Sequence, residues 1–145
     1  MVGVTLATIG YENATLPDVI GRLKAAGVEV LIDVRAVAAS RRPGFSKTML
    51  SNTLREEGID YVHLRALGTP KAGRDAARKG RIAEMRAIYD EHLRDPAAIA
   101  ELARAAAIAR ERKAVLFCYE AEAAGCHRRV IAERLAAEGI ASEDL

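Results

Sequence analysis

One junction, used three times, constrains this chain more than anything else in it. Ala26-Gly27-Val28, Glu57-Gly58-Ile59 and Glu138-Gly139-Ile140 each end a helical stretch on glycine and pass straight into an apolar, β-branched residue. Glycine takes the left-handed conformation that stops a helix without steric cost, and the residue after it favours an extended strand. A chain that leaves helix for strand again and again builds parallel strands, because each helix returns it to the same end of the sheet.

The strands themselves are legible as apolar runs at residues 4–9, 28–34, 59–64 and 114–118. The second of these is rich in Val, Leu and Ile, which suits a strand covered on both faces. Between them, apolar residues recur at helical spacing: Ile20, Leu23 and Ala26 behind a Thr15–Asp18 capping box, then Met49, Leu50 and Leu54 behind Ser46. Ile82, Met85, Tyr89 and Leu93 mark a third helix, Asp95-Pro96 starts a fourth through Ile99, Leu102 and Ala106, and Val130, Ile131 and Leu135 mark the last. Residues 67–81 read as a polar loop, so two helices are expected between strands three and four. The expected fold is one α/β domain over residues 1–145, a three-layer α/β/α, Rossmann-like arrangement with a four-stranded, mainly parallel sheet in the order 3-2-1-4. Gly139-Ile140 would open an extra edge strand.

Composition excludes several classes. With 145 residues, half of them apolar, the chain can bury one core and calls for no cofactor or disulfide to fold. A net charge of +2 rules out a global polybasic field, so attraction to anions must come from local clusters. No run approaches the roughly 20 apolar residues of a membrane span and the N-terminus lacks a signal-peptide pattern, so a cytoplasmic protein without a membrane partner is expected. Two cysteines are too few for a disulfide framework.

In parallel sheets, ligands sit at the carboxyl ends of the strands. Gly10 and Tyr11, Asp33 and Arg35, His63, and the stretch from Cys118 through Glu120 all fall there, with the switch point expected between strands one and four. Asp33 and Arg35, two apart on a strand, share a face and either pair with each other or leave the guanidinium fork to a phosphate or carboxylate. Ser40, Arg41, Arg42 and Lys47 surround Pro43-Gly44-Phe45, and residues 71–81, opened by Lys71, carry an excess of four positive charges. These two segments make either a basic rim or solvated surface. The crossing from strand four to the last helix holds both cysteines. Cys118 reads as a core residue. Cys126, ahead of a helix and beside His127 and Arg128, is in a setting that lowers a thiol pKa, which makes Cys126 and His127 the candidate catalytic pair, with capping or packing as the alternative. Cys118, Cys126, His127 and His63 match no compact zinc spacing, and no metal is expected. Asp33, Arg35, Ser40, Arg41 and Arg128 are expected around one pocket.

Thr8-Ile9-Gly10-Tyr11, Asp33-Val34-Arg35, the stretch Ser40-Arg41-Arg42-Pro43-Gly44-Phe45-Ser46-Lys47, Gly58-Ile59-Asp60-Tyr61-Val62-His63-Leu64, Leu67-Gly68-Thr69-Pro70-Lys71 and Cys126-His127-Arg128 together resemble, in order, a bacterial and archaeal family, the domain of unknown function 488. The resemblance implies a small cytosolic α/β domain without an established activity. This chain departs from the pattern in carrying Ala38 where members often have proline, and Tyr11-Glu12 where they often have His-Ser. The function expected from the residues is recognition of a phosphorylated or otherwise anionic small molecule, nucleotide or nucleic acid included, by Arg35, Arg41, Lys47, Lys71 and Arg128, with a thiol-dependent activity at Cys126. The alternative is a non-catalytic binding or regulatory module whose basic rim meets nucleic acid or an acidic partner.

Overall fold

The structure is a computed structural model that describes residues 4–120 and 127–145. Its elements run β1 (Val4–Gly10), α1 (Leu16–Ala25), β2 (Val30–Asp33), α2 (Lys47–Glu56), β3 (Asp60–His63), a 3-10 turn (Arg65–Leu67), α3 (Lys71–Arg78), α4 (Ile82–His92), α5 (Pro96–Glu111), β4 (Ala114–Cys118), α6 (His127–Ala136) and β5 (Ile140–Asp144). The three junction glycines sit where their sequence context requires, with φ of 70° at Gly27, 76° at Gly58 and 85° at Gly139. At the start of α1, the Thr15 hydroxyl accepts from the Asp18 amide and the Asp18 carboxylate accepts from the Thr15 amide, so the capping box closes on both sides.

All strands are parallel, and the sheet has five of them in the order β3-β2-β4-β1-β5. The expected four-stranded order 3-2-1-4 is corrected on two points. β5 is a full strand, paired with β1 from Val4↔Ile140 onward. And β4, not β1, is the neighbour of β2, with Leu31 opposite Val115 on one side of it and Ile9 opposite Phe117 on the other. The reason lies in burial. Every residue of β4 is buried, which suits a strand with neighbours and helices all round, whereas β3 and β5 carry exposed residues and occupy the edges.

Strand residues alternate between two cores. Leu6, Val30, Ile32, Leu116 and Cys118 pack with residues of α3, α4, α5 and α6, while Ala7, Ile9, Leu31, Val115 and Phe117 pack with α1 and α2. The result is three layers. From β1 the chain moves through α1 and α2 toward the β3 edge, then reverses, reaching β4 and finally β5 on the opposite edge. The connections leaving β2 and β4 therefore part to opposite faces, and a crevice opens between them at the carboxyl edge.

Three helices, not two, separate β3 from β4, because residues 71–78 of the expected polar loop form α3. Its only buried residues are Gly73 and Ala76, so it docks by close approach of small residues and has no apolar stripe. Among the described residues no helix is long and apolar enough to cross a membrane.

Candidate functional site

The floor of the site is a buried ion pair. Asp33 ends β2 fully buried, and Arg35, two residues on, turns back over it, Nε lying 2.9 Å from Oδ1 and Nη2 2.7 Å from Oδ2. Asp33 also accepts from the Arg35 amide at 3.1 Å and from the Tyr61 hydroxyl of β3 at 2.5 Å. The remaining contacts of Arg35 run from Nη1 to the Phe45 carbonyl at 2.7 Å and to the Tyr11 hydroxyl at 3.3 Å. Burial alone would lower the guanidinium's pKa, but the hydrogen bond and charge of Asp33 outweigh it and hold Arg35 above its ordinary value. Burial, and next the bond to Asp33, likewise push the Tyr61 hydroxyl up, so it stays protonated.

Above this pair stands an aromatic stack. Tyr11 packs nearly parallel to Phe45 at 4.2 Å and to Phe117 at 5.1 Å, these two rings lying 6.3 Å from each other, and it meets Tyr119 edge-on at 5.3 Å. The Arg35 guanidinium lies 5.0 Å from the Phe117 ring centre and 5.6 Å from that of Tyr11. Arg42 fastens the loop after β2 to the loop after β1, donating to the carbonyls of Tyr11, Glu12 and Ala14. The exits of β1 and β4 touch as well, the Glu12 amide bonding the Tyr119 carbonyl at 2.8 Å. Gly10 is glycine for this reason, since a Cβ there would fall 1.6 Å from the Glu120 carbonyl oxygen.

Two histidines hold the turn after β2. The carbonyls of Val34 and Arg35 accept from His127 at 2.7 Å and from His63 at 2.8 Å, which places the proton of each ring on Nε2. His92 does the same for Ala66 at 2.7 Å. Burial lowers the His127 pKa, and the neighbouring Arg128 charge adds to this, against the opposing pull of the Val34 carbonyl, Glu120 and Asp33. A pH dependence follows. In the unfolded chain His127 takes up a proton as pH falls through its ordinary 6.5, while in the fold it resists, so stability is lost below about pH 6.5. Urea midpoints measured from about pH 7.5 down to 5.5 should fall for the wild type and fall less for His127→Gln, which keeps an N–H donor without the titration. Equal slopes would place the acid sensitivity elsewhere.

Over this floor opens a cleft of about 790 Å³. Tyr11 and Glu12 from the β1 exit, residues 35–37 and 39–42 from the β2 exit, Thr69, Arg74, Ala77 and Arg78 from the approach to α3 and α3 itself, Met85 of α4, Tyr119 and Glu120 from the β4 exit, and His127 at the start of α6 line it. Among the described lining residues, five arginines face two glutamates. They are not equivalent. Arg35 and Arg42 are spent on protein atoms, Arg78 pairs with Asp75, and Arg74 gives one bond to the Thr69 carbonyl at 2.9 Å. Arg41 is exposed, with no hydrogen bond or ion pair among the described residues.

Of the residues expected at a site, Tyr11, Arg35, Ser40, Arg41, Glu120 and His127 line this cleft, and Asp33 and Gly10 lie beneath it. Lys47 is exposed outside it, Lys71 pairs with Asp75 at 3.3 Å outside it, and His63 serves the backbone. Arg128 departs most from expectation. It is 1% exposed, donates to Cys118 Sγ at 3.1 Å and to the Glu120 carbonyl at 2.6 Å, and borders a separate cavity of about 330 Å³ with Thr8, Ser142 and Asp144. Successive helix residues point about 100° apart, so with His127 facing the cleft Arg128 turns under the sheet ends instead. The single pocket expected to hold both Arg35 and Arg128 is thus two cavities. Cys126 lies outside the described residues, and Cys118 is buried. Among the described residues no cluster of three or more His, Cys, Asp or Glu side chains is placed to share a metal ion. The sequence reading passed over Val37, Thr69, Arg74 and Tyr119 as individual lining residues. For Tyr119 the signal was its place immediately after a buried strand.

Fold and cleft together define a doubly wound parallel α/β domain with an arginine-lined crevice at the carboxyl edge. The chain belongs to the family described as Domain of unknown function DUF488, whose pattern matches residues 15–135 of the 145. No curated protein matches it.

Proposed function

We propose that the cleft binds a small phosphorylated or otherwise anionic ligand, a nucleotide being one chemistry that suits it. The observation that carries this reading is Arg41: an exposed guanidinium on the wall of a crevice at the switch point, held by no protein group among the described residues, in a lining that also includes Arg74. A guanidinium of this kind offers a planar fork to phosphate or carboxylate. The lining also supplies a place for an organic group, with Val37 59% and Tyr119 44% exposed. A crevice of this size is far larger than a bare phosphate and falls in the usual range for small-molecule sites, about 300–1,000 Å³.

Binding of phosphate monoesters, followed by calorimetry, tests the reading. Arg41→Ala should weaken it about tenfold, the loss of a charge-assisted hydrogen bond, and wild-type affinity should fall as salt rises. Lys79→Ala, exposed on the far end of α3 and outside the cleft, should change it by less than about twofold. Equal effects of the two substitutions, or no influence of salt, would sink the proposal. A thiol-dependent activity is the catalytic form of the same reading, with Cys126 next to the cleft-lining His127 in sequence. Iodoacetamide labelling against pH tests it, since a reactive thiolate titrates well below the free-cysteine value of about 8.5. The non-catalytic alternative, a basic surface for nucleic acid or an acidic partner, draws on the exposed cations of α3, of which Lys71 and Arg78 are both engaged by Asp75. That engagement favours the cleft.

A further inference from the structure

We propose that Tyr11, and not Arg35, is the member of the buried network that meets the bound anion, donating its phenolic O–H to a ligand oxygen at the floor of the cleft. The inference rests on the anionic-ligand reading above and names the donor that would select for an oxyanion. Tyr11 is 3% exposed, yet it borders the cleft. Its oxygen accepts from Arg35 Nη1, and since a guanidinium can only donate, the tyrosine's own proton must be given elsewhere. No acceptor for it lies among the described residues. The other two tyrosines with buried or part-buried hydroxyls are different: Tyr61 donates to Asp33 and Tyr89 to the Leu67 carbonyl, each at 2.5 Å. Buried hydroxyls without an acceptor are costly, so one on a residue that borders a cleft marks where an acceptor from solution belongs. The ring has little room to swing away and find one, because it is buried and packed against the rings of Phe45, Phe117 and Tyr119. Arg35, by contrast, spends four of its five N–H groups on Asp33, the Phe45 carbonyl and the Tyr11 oxygen.

Tyr11→Phe removes the hydroxyl and keeps the stack. With inorganic phosphate as the probe, its affinity should fall about tenfold or more relative to wild type, while the dependence of affinity on salt stays as in wild type, because the lost donor is uncharged. Arg41→Ala should weaken binding and flatten that salt dependence. If Tyr11→Phe binds phosphate as wild type does while Arg41→Ala is weakened, this assignment is overturned and the anion site stands. If wild-type protein binds no phosphate, both fall together. A measurement on folded protein with Tyr11 intact covers the case in which Tyr11→Phe does not fold. In Tyr119→Phe, saturating phosphate should shift the near-ultraviolet tyrosine absorbance, since the hydroxyls of Tyr61 and Tyr89 are engaged inside the protein. An unshifted spectrum overturns the assignment.

Discussion

Asp33→Ala is expected to cost the fold about 3–5 kcal/mol, because it leaves the Arg35 guanidinium buried without its counter-charge. Arginine cannot escape by releasing its proton, so the penalty stays with the folded state. The substitution also strips the Tyr61 hydroxyl and the Arg35 amide of their acceptor. Urea unfolding at neutral pH reads the loss directly. The double replacement Asp33→Leu with Arg35→Met should recover most of it, since exchanging a whole buried pair for apolar side chains of similar volume is often close to neutral. A loss under about 1 kcal/mol for Asp33→Ala would mean that water reaches the pair.

Phe45→Ala is the second large effect, at about 3–5 kcal/mol, the range for truncating a buried phenylalanine. Phe45 is 1% exposed, on a loop otherwise tethered by backbone and arginine contacts, and its ring is one of the two near-parallel rings packed against Tyr11. The cavity left behind frees the Tyr11 ring, so the near-ultraviolet circular dichroism of the tyrosines should weaken along with stability. Phosphate affinity should drop in the same variant. A stability loss with an unchanged tyrosine signal would show that Phe117 alone holds the ring.

The α/β class was legible because it depends on local signals: glycine junctions, apolar β-branched runs and helical spacing each report on a few neighbouring residues. Strand order was not, because it depends on which edges meet across a hundred residues. The relevant clue, the complete burial of 114–118 against the mixed pattern of 59–64, points to a centre and an edge without naming neighbours. α3 escaped for a different reason. Its docked face is Gly73 and Ala76, and periodicity cannot register a helix that buries no large apolar side chain. The strand ends picked out in the sequence include several that line the cleft, but the sequence could not say which cations were already spent. Arg35 and Arg42 look like Arg41 in one dimension; only the fold shows two of them clasping protein atoms. His127 and Arg128 are adjacent in the chain, and the turn of the helix sends them to different cavities.

The central place of β4 has a consequence for how the chain acquires its structure. Until residue 114 has been made, β1 has neither its β4 nor its β5 neighbour, and only the β2–β3 pair can form. Pairings between segments roughly a hundred residues apart carry a large loop-closure cost before they return any stabilisation, which places the domain among high-contact-order, slower folders. The stretch from Ala114 onward, about a fifth of the sequence, is therefore the step that closes the sheet. A nascent chain halted before Ala114 exposes the apolar edges of β1 and β2 side by side in time but not in space, and it is there that a holding chaperone would find its grip.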